Sequence, residues 1–420
     1  MQHMLISLVG IAVLLGIAIL LSDNRKAIKL RTVGGAFAIQ AGIGAFVLYI
    51  PAGQYILEAI TNGVNAVMGY ANNGIGFLFG ELASFKLGFI FFVHVLSVII
   101  FFAALVAVLY YLGIMQLVIK LFGGALRKLL GTSRTESLSA AANVFVGQTE
   151  APLLVRPFIS RMTQSELFAV MVGGLASVAG AVMVGYASMG VELKYLIAAS
   201  FMAAPGGLLM AKIIKPETET PHDDVDDIEE EGTEEKPANI FDAAASGAAS
   251  GLKLAAMIGA MLLAFISLIA MLNGLLGWAG GWFGYPELTI ELILGYVFSP
   301  LAYLIGVPWS EALTAGSFLG QKVIVNEFVA FSSLANYIDA EAAAKAGVAL
   351  LSDRSQAILT FALCGFANIS SIAILLGGLG SMAPNRRQDI ARFGLKAVVA
   401  GTLSNLMSAT IAGLFLALAV

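Results

Sequence analysis

Apolar residues run almost unbroken through most of this chain, and polar positions gather into a few short interruptions. Runs long enough to cross a bilayer as helices, about 20 residues, fall at 5–21, 33–51, 87–117, 167–189, 195–214, 251–276, 357–379 and 395–418. That pattern predicts eight transmembrane helices. The stretch 54–81 is only moderately apolar, dotted with Asn62, Asn65, Asn72 and Asn73, and predicts an amphipathic helix in the outer interface. Two segments fit neither description. Residues 136–161 hold a polar turn at 147–152 with basic residues on both flanks, which predicts a re-entrant hairpin that enters and leaves on one side. Residues 312–337 hold a second turn at Asn326-Glu327 with its tip at 325–328, after an apolar segment at 288–305 interrupted by Pro300 and Pro308. Three crossings separate the hairpins, so the second enters from the opposite face. The order of elements repeats across an odd number of crossings, which is an inverted repeat.

Basic residues identify the sides. Arg25, Lys26, Lys29 and Arg31, then Lys120, Arg127, Lys128 and Arg134, then Lys212 and Lys215, then Arg386 and Arg387 all fall at the same face. The positive-inside rule makes that face cytoplasmic and puts both termini outside. The first run has no basic residue before it and no small-residue cleavage site after it, so it reads as a retained helix rather than a signal peptide.

Composition agrees. The chain has 420 residues, 59% hydrophobic and 12% charged, with a mean hydropathy of +0.90. No soluble domain of this size conceals so much apolar surface, so the fold class is an all-α polytopic membrane protein. The net charge of −4 is local in origin. Eleven acids lie between Pro216 and Asn239, leaving 22 basic and 16 acidic residues elsewhere. That segment, with three prolines and no periodicity, reads as a solvated cytoplasmic linker over 215–240. The single cysteine, Cys364, excludes an internal disulfide and reads as a packing residue.

The chemistry sits in the interruptions. Glu150 and Glu327 are ionisable groups at membrane depth, where such groups by default line a buried path or cavity. Gln148, Thr149 and Glu150 are consecutive; a helix would splay them by about 100° each, so a turn is needed to aim them at one site. Two spans carry matching polar breaks, Gly173-Gly-Leu-Ala-Ser-Val-Ala-Gly180 and Cys364-Gly-Phe-Ala-Asn-Ile-Ser-Ser371. Such breaks free carbonyls and expose half-helix ends. Asn368 and Ser371 share a face. Two carboxylates with amides and hydroxyls suit a neutral polyhydroxy or amide-bearing solute. His94, in the middle of an apolar run, reads as a packed histidine.

Three of these segments carry a resemblance. Gly147-Gln-Thr-Glu-Ala-Pro-Leu153, Asn326-Glu-Phe-Val-Ala330 and Cys364-Gly-Phe-Ala-Asn368 resemble signature segments of the concentrative nucleoside transporter family, and the similarity extends over nearly the whole chain. The resemblance implies that Gln148, Thr149 and Glu150 bond the nucleobase, with Val182 and Leu254 in apolar contact with it. It implies that Glu327, Asn368 and Ser371 hold the ribose, with Phe366 beside the sugar. It implies a sodium site formed by Asn143, Ser177 and the carbonyls of Val146 and Val178. It further implies a homotrimer in a bacterial inner membrane that moves nucleosides such as uridine, cytidine and adenosine inward by an elevator motion. In that scheme 1–117 and 241–285 are scaffold, while 118–214 and 286–420 are the two transport-domain repeats. Two alternatives stand beside it: proton coupling through Glu150 or Glu327, and an intramembrane enzyme with paired carboxylates.

Overall fold

The computed structural model describes residues 2–84, 86, 88–221 and 237–419, and all regular structure among them is helical. The helices are α1 (Gln2–Leu20), α2 (Leu30–Leu48), α3 (Pro51–Phe79), α4 (Ser97–Tyr111), α5 (Ile114–Leu130), α6 (Arg134–Ala142), α7 (Arg156–Ile159), α8 (Gln164–Ala176) and α9 (Gly180–Ser188). They continue with α10 (Leu193–Ile214), α11 (Ile240–Gly281), α12 (Ile290–Leu304), α13 (Trp309–Ile324), α14 (Glu327–Leu334), α15 (Ala340–Ala346), α16 (Asp353–Leu363), α17 (Ser371–Met382) and α18 (Arg387–Leu418). Helices dominate because backbone groups at membrane depth must be satisfied within the segment. The core of the acidic linker, 222–236, lies outside the described residues.

Six of the eight expected spans are helices long and apolar enough to cross a membrane. The other two are the 17-residue apolar run Met4–Leu20 and the pair α16 and α17, separated by the break 364–370. The run expected over 87–117 ends at Tyr111, where Gly113, left-handed with φ 77°, separates α4 from α5. The basic patch therefore lies largely on α5. Helix α3 covers most of the segment 54–81. Helix α11 is longer than expected; its 42 residues span roughly 60 Å, about twice a hydrocarbon core. Gly247 and Gly251 let α11 lie against Ala103, Ala104 and Ile100 of α4, where an added Cβ would come within 3 Å.

The second half repeats the first: α5 then α6–α7 then α8–α9 then α10, against α12 then α13–α14 then α16–α17 then α18. The pair α12 and α13 bends by 117°, so neither limb crosses as part of one straight span. At the centre α10 packs on α2, α8 and α18, while α18 packs on α1, α8, α10 and α16. Burial separates two kinds of helix. The most apolar window is 94% buried in α10 and 89% in α8–α9, but 17% in α11. α11 leaves Leu263, Ile266 and Met271 exposed on its outer side.

The hairpin base is anchored at the basic face. Ser133 and Glu136 form a capping box at the start of α6, and Thr163 with Glu166 forms another at the start of α8. Thr135 donates to Glu166 at 2.9 Å, and the Lys212 ammonium lies 2.5 Å from Glu136 and 2.9 Å from the Ser165 hydroxyl. The second repeat uses Glu311 in the same way, accepting from the Ser352 amide at 3.0 Å and hydroxyl at 2.8 Å.

Asp23, just beyond α1, pairs with Lys215 at 3.1 Å and with Lys396 of α18. Burial pushes its carboxyl up, but hydrogen bonds and charge from Lys396 and Lys215 outweigh that and hold its pKa below the ordinary 3.8. A depressed folded value contributes stability above the unfolded pKa, and that stability is lost as pH falls through the folded value. Asp23→Asn is expected to cost at most about 1 kcal/mol at pH 7 and to flatten the fall in stability below pH 3.8. Thermal melts of wild type and variant at pH 7 and pH 3 test this.

Candidate functional site

The two hairpin tips and the two helix breaks meet inside the protein. Asn326 caps α14 through a 2.9 Å bond from the Val329 amide to its side chain. This makes Glu327 the first residue of α14, where a carboxylate also meets the positive helix end. Glu327 is buried. Its two oxygens accept from the Tyr186 hydroxyl at 3.2 Å and from the Asn368 amide at 3.0 Å. A carboxylate offers about four acceptor positions, so capacity remains for further donors. The Tyr186 ring is fixed by stacking on Phe331 at 4.4 Å and by an edge contact with Phe328 at 4.7 Å.

Asn368 is oriented from its other side. Its carbonyl oxygen accepts from the Ser371 amide at 2.9 Å and the Ser370 hydroxyl at 2.7 Å. Ser371 in turn receives a 3.4 Å contact from the Gln148 side-chain amide. One chain of polar groups thus links Gln148 on the first hairpin to Glu327 on the second. The Gln148 side-chain oxygen is buried and has no hydrogen-bond partner among the described residues. Such a group is costly unless something else donates to it.

The three consecutive tip residues diverge. Gln148 turns into the cluster, whereas half-buried Thr149 lies against Gly378 of α17. Glu150 is exposed and accepts from the Gly147 amide of its own turn at 3.2 Å. Val182 is buried on α9, Leu254 is half-buried on α11, and Phe366 is half-buried in the second break. His94 is buried and stacked on Phe89 at 5.6 Å, as expected of a packed histidine.

Asn143, Val146, Ser177 and Val178 are all buried around the first break. Asn143 ends α6 and donates to the Ser139 carbonyl at 2.9 Å, leaving its side-chain oxygen buried without a partner among the described residues. The Ser177 hydroxyl donates to the Gly173 carbonyl at 3.0 Å, so its own lone pairs face outward from that bond. The side-chain oxygens of Asn143 and Ser177 are the ligand type that a hard cation takes.

Three residues essential to this arrangement are absent from the expectations above. Tyr186 gives no sequence signal, because a lone tyrosine in a span reads as an interface anchor. Lys322 does give one: it is a charge at membrane depth five residues before Glu327. Its ammonium is buried and donates to Asn405 at 2.6 Å and to the Ala362 carbonyl at 2.8 Å. Asn405 on α18 donates to the Ala176 carbonyl at 2.6 Å and the Cys364 carbonyl at 3.0 Å, tying both broken helices together. Gly365 allows that approach, since an added Cβ would lie 2.2 Å from the Asn405 oxygen. Gly365→Ala is therefore expected to cost about 1–3 kcal/mol of stability and to reduce uptake more than tenfold, read by thermal melts and transport on the same preparation.

Opposed hairpins, paired helix breaks and a polar cluster between them define a membrane carrier. Residues 195–413 match the C-terminal domain of Na+ dependent nucleoside transporters, residues 9–82 match the N-terminal domain, and residues 92–192 match a nucleoside recognition domain. The chain belongs to the concentrative nucleoside transporter family. It is 52% identical to nucleoside permease NupC of Helicobacter pylori over 99% of this chain and 98% of the permease. It is 38% identical to human solute carrier family 28 member 3 over 98% of this chain and 60% of that longer protein. Among solved structures it resembles CNTnw at 59% identity. The TM-score is 0.96 against an outward-facing variant, covering 99% of both chains. Against the inward-facing substrate-bound state it is 0.93, covering 99% of this chain and 98% of that one. The protein is a transporter and not an enzyme, which removes the paired-carboxylate alternative.

Proposed function

We propose that this protein is a sodium-coupled symporter that draws nucleosides into the cell by an elevator-like alternating access. The observation that carries this reading is the polar chain from Gln148 through Ser371 and Asn368 to Glu327. It combines an unpartnered amide acceptor, suited to base N–H groups, with a buried carboxylate, suited to two vicinal ribose hydroxyls. Thr149 and Glu150 border the base end of this site, Val182 and Leu254 supply apolar contact to the base, and Phe366 flanks the sugar. The Asn143 oxygen, buried and without a partner among the described residues, supports a sodium ion held with Ser177 and the carbonyls of Val146 and Val178.

Residues 118–214 and 286–420 form the moving unit in this reading, and 1–117 with 241–285 form the scaffold. The contrast between buried α8–α10 and exposed α11 supports that division. The apolar outer side of α11 gives the scaffold a surface for the bilayer or for other copies in a homotrimer. The basic face is cytoplasmic in a bacterial inner membrane, with both termini outside.

Radiolabelled uridine uptake into proteoliposomes tests the coupling. An inward sodium gradient alone is expected to concentrate uridine. Uptake driven only by an inward proton gradient would move coupling to Glu150 or Glu327. No uptake of uridine, cytidine or adenosine under either gradient would overturn the substrate reading.

A further inference from the structure

The two hairpins carry related segments, Asn143-Val-Phe-Val146 and Lys322-Val-Ile-Val325, each leading into the tip that bears a glutamate. Asn143 is the C-cap of α6 and Lys322 lies in the last turn of α13. Each segment is bonded to the break of the following span in its own repeat. Gly180 N–H donates to the Phe145 carbonyl at 2.9 Å, and Ile369 N–H donates to the Val323 carbonyl at 3.1 Å. The bonded carbonyls are offset by one along the two segments, so the inverted repeat gives the region of the proposed sodium position, beside the end of α8, a counterpart beside the end of α16 without an exact residue match.

A lysine already occupies that counterpart. The Lys322 ammonium is 1% exposed and bonds the Ala362 carbonyl, in the last turn of α16, and the Asn405 side-chain oxygen. The end of a half-helix carries negative potential from its unsatisfied carbonyls. Both of the partners named here are oxygen atoms, the ligand type that a sodium ion would take. Asn405 also holds the Ala176 and Cys364 carbonyls, so the charge sits at the joint between the two broken helices. A lysine at membrane depth is expensive and calls for a role.

We propose that Lys322 is a tethered cation filling, in the second repeat, the position that a coupling ion takes in the first. The position in the second repeat then stays filled by the side chain, and a single position of the related pair exchanges its ion with solvent. This inference rests on the sodium reading of the Asn143 site. It makes Lys322 a determinant of how many ions accompany each nucleoside.

Removing the side chain should turn the tethered charge into an exchangeable one. Lys322→Ala leaves the Asn405 and Ala362 oxygens facing a space, and is expected to bind one more sodium per protomer than wild type. Lys322→Met fills the space without charge, and is expected to lose more than tenfold in uptake with no gain in sodium. Radioactive sodium binding by equilibrium dialysis, with uridine uptake on the same preparations, reads both. A merely structural lysine would leave the sodium count of Lys322→Ala at the wild-type value, and that result overturns the proposal. If Lys322→Ala does not yield monodisperse protein, the wild-type count decides: one exchangeable sodium per protomer supports the proposal and two overturn it. A wild type that binds no sodium would instead remove the Asn143 reading, while a gain of sodium on Lys322→Ala would still be legible as a separate result.

Discussion

Glu327→Gln is expected to lower uridine uptake by about 100-fold. Hydrogen bonds to a charged group are worth about 1.5–3 kcal/mol each. Weakening two of them to ribose hydroxyls costs about 3 kcal/mol, and each 1.4 kcal/mol is roughly tenfold. The amide adds a second fault. The carboxylate already accepts from Tyr186 and Asn368, and a glutamine must present an NH2 group toward one of those donors. The effect should depend on the sugar. Wild type is expected to discriminate strongly against 2′- and 3′-deoxyuridine, whereas the variant should treat uridine and its deoxy analogues nearly alike. Equal discrimination in both proteins would take Glu327 out of the sugar site, whatever the fall in rate.

Asn143→Ala is expected to raise the sodium concentration for half-maximal uptake at least tenfold, with little change in uptake at saturating sodium. The buried side-chain oxygen of Asn143 lacks a partner among the described residues, and losing one charge-assisted contact of about 1.5–3 kcal/mol corresponds to about 10- to 100-fold in affinity. The other half of the amide bonds the Ser139 carbonyl, so some loss of stability is also expected. Asn143→Asp keeps an oxygen at the position and should recover sodium affinity where alanine does not. Sodium dependence unchanged in both variants would relocate the ion.

The sequence by itself determined the class of molecule and the hairpins. Hydropathy is a local property, and a span needs about 20 apolar residues wherever it occurs. Glu150 and Glu327 were legible for the complementary reason: a charge in an apolar run is too costly to be incidental. The same rule points to Lys322, whose role nonetheless depends on Asn405, 83 positions away. Boundaries were less legible where one residue decided them, as at Gly113, where a left-handed turn ends α4 inside a continuous apolar run.

Tertiary structure alone decided which polar groups meet. Gln148 and Ser371 are 223 residues apart, and Tyr186 and Glu327 are 141 apart. Their meeting follows from how two inverted repeats pack α8 and α10 against α16 and α18. It also decided that Gln148, Thr149 and Glu150 part company at the tip, since a turn allows convergence without imposing it. Periodicity and hydropathy report each residue's relation to its own helix axis and to the bilayer. Contacts between repeats depend on the packing of side chains brought together from distant parts of the chain, and no window along the sequence contains both partners.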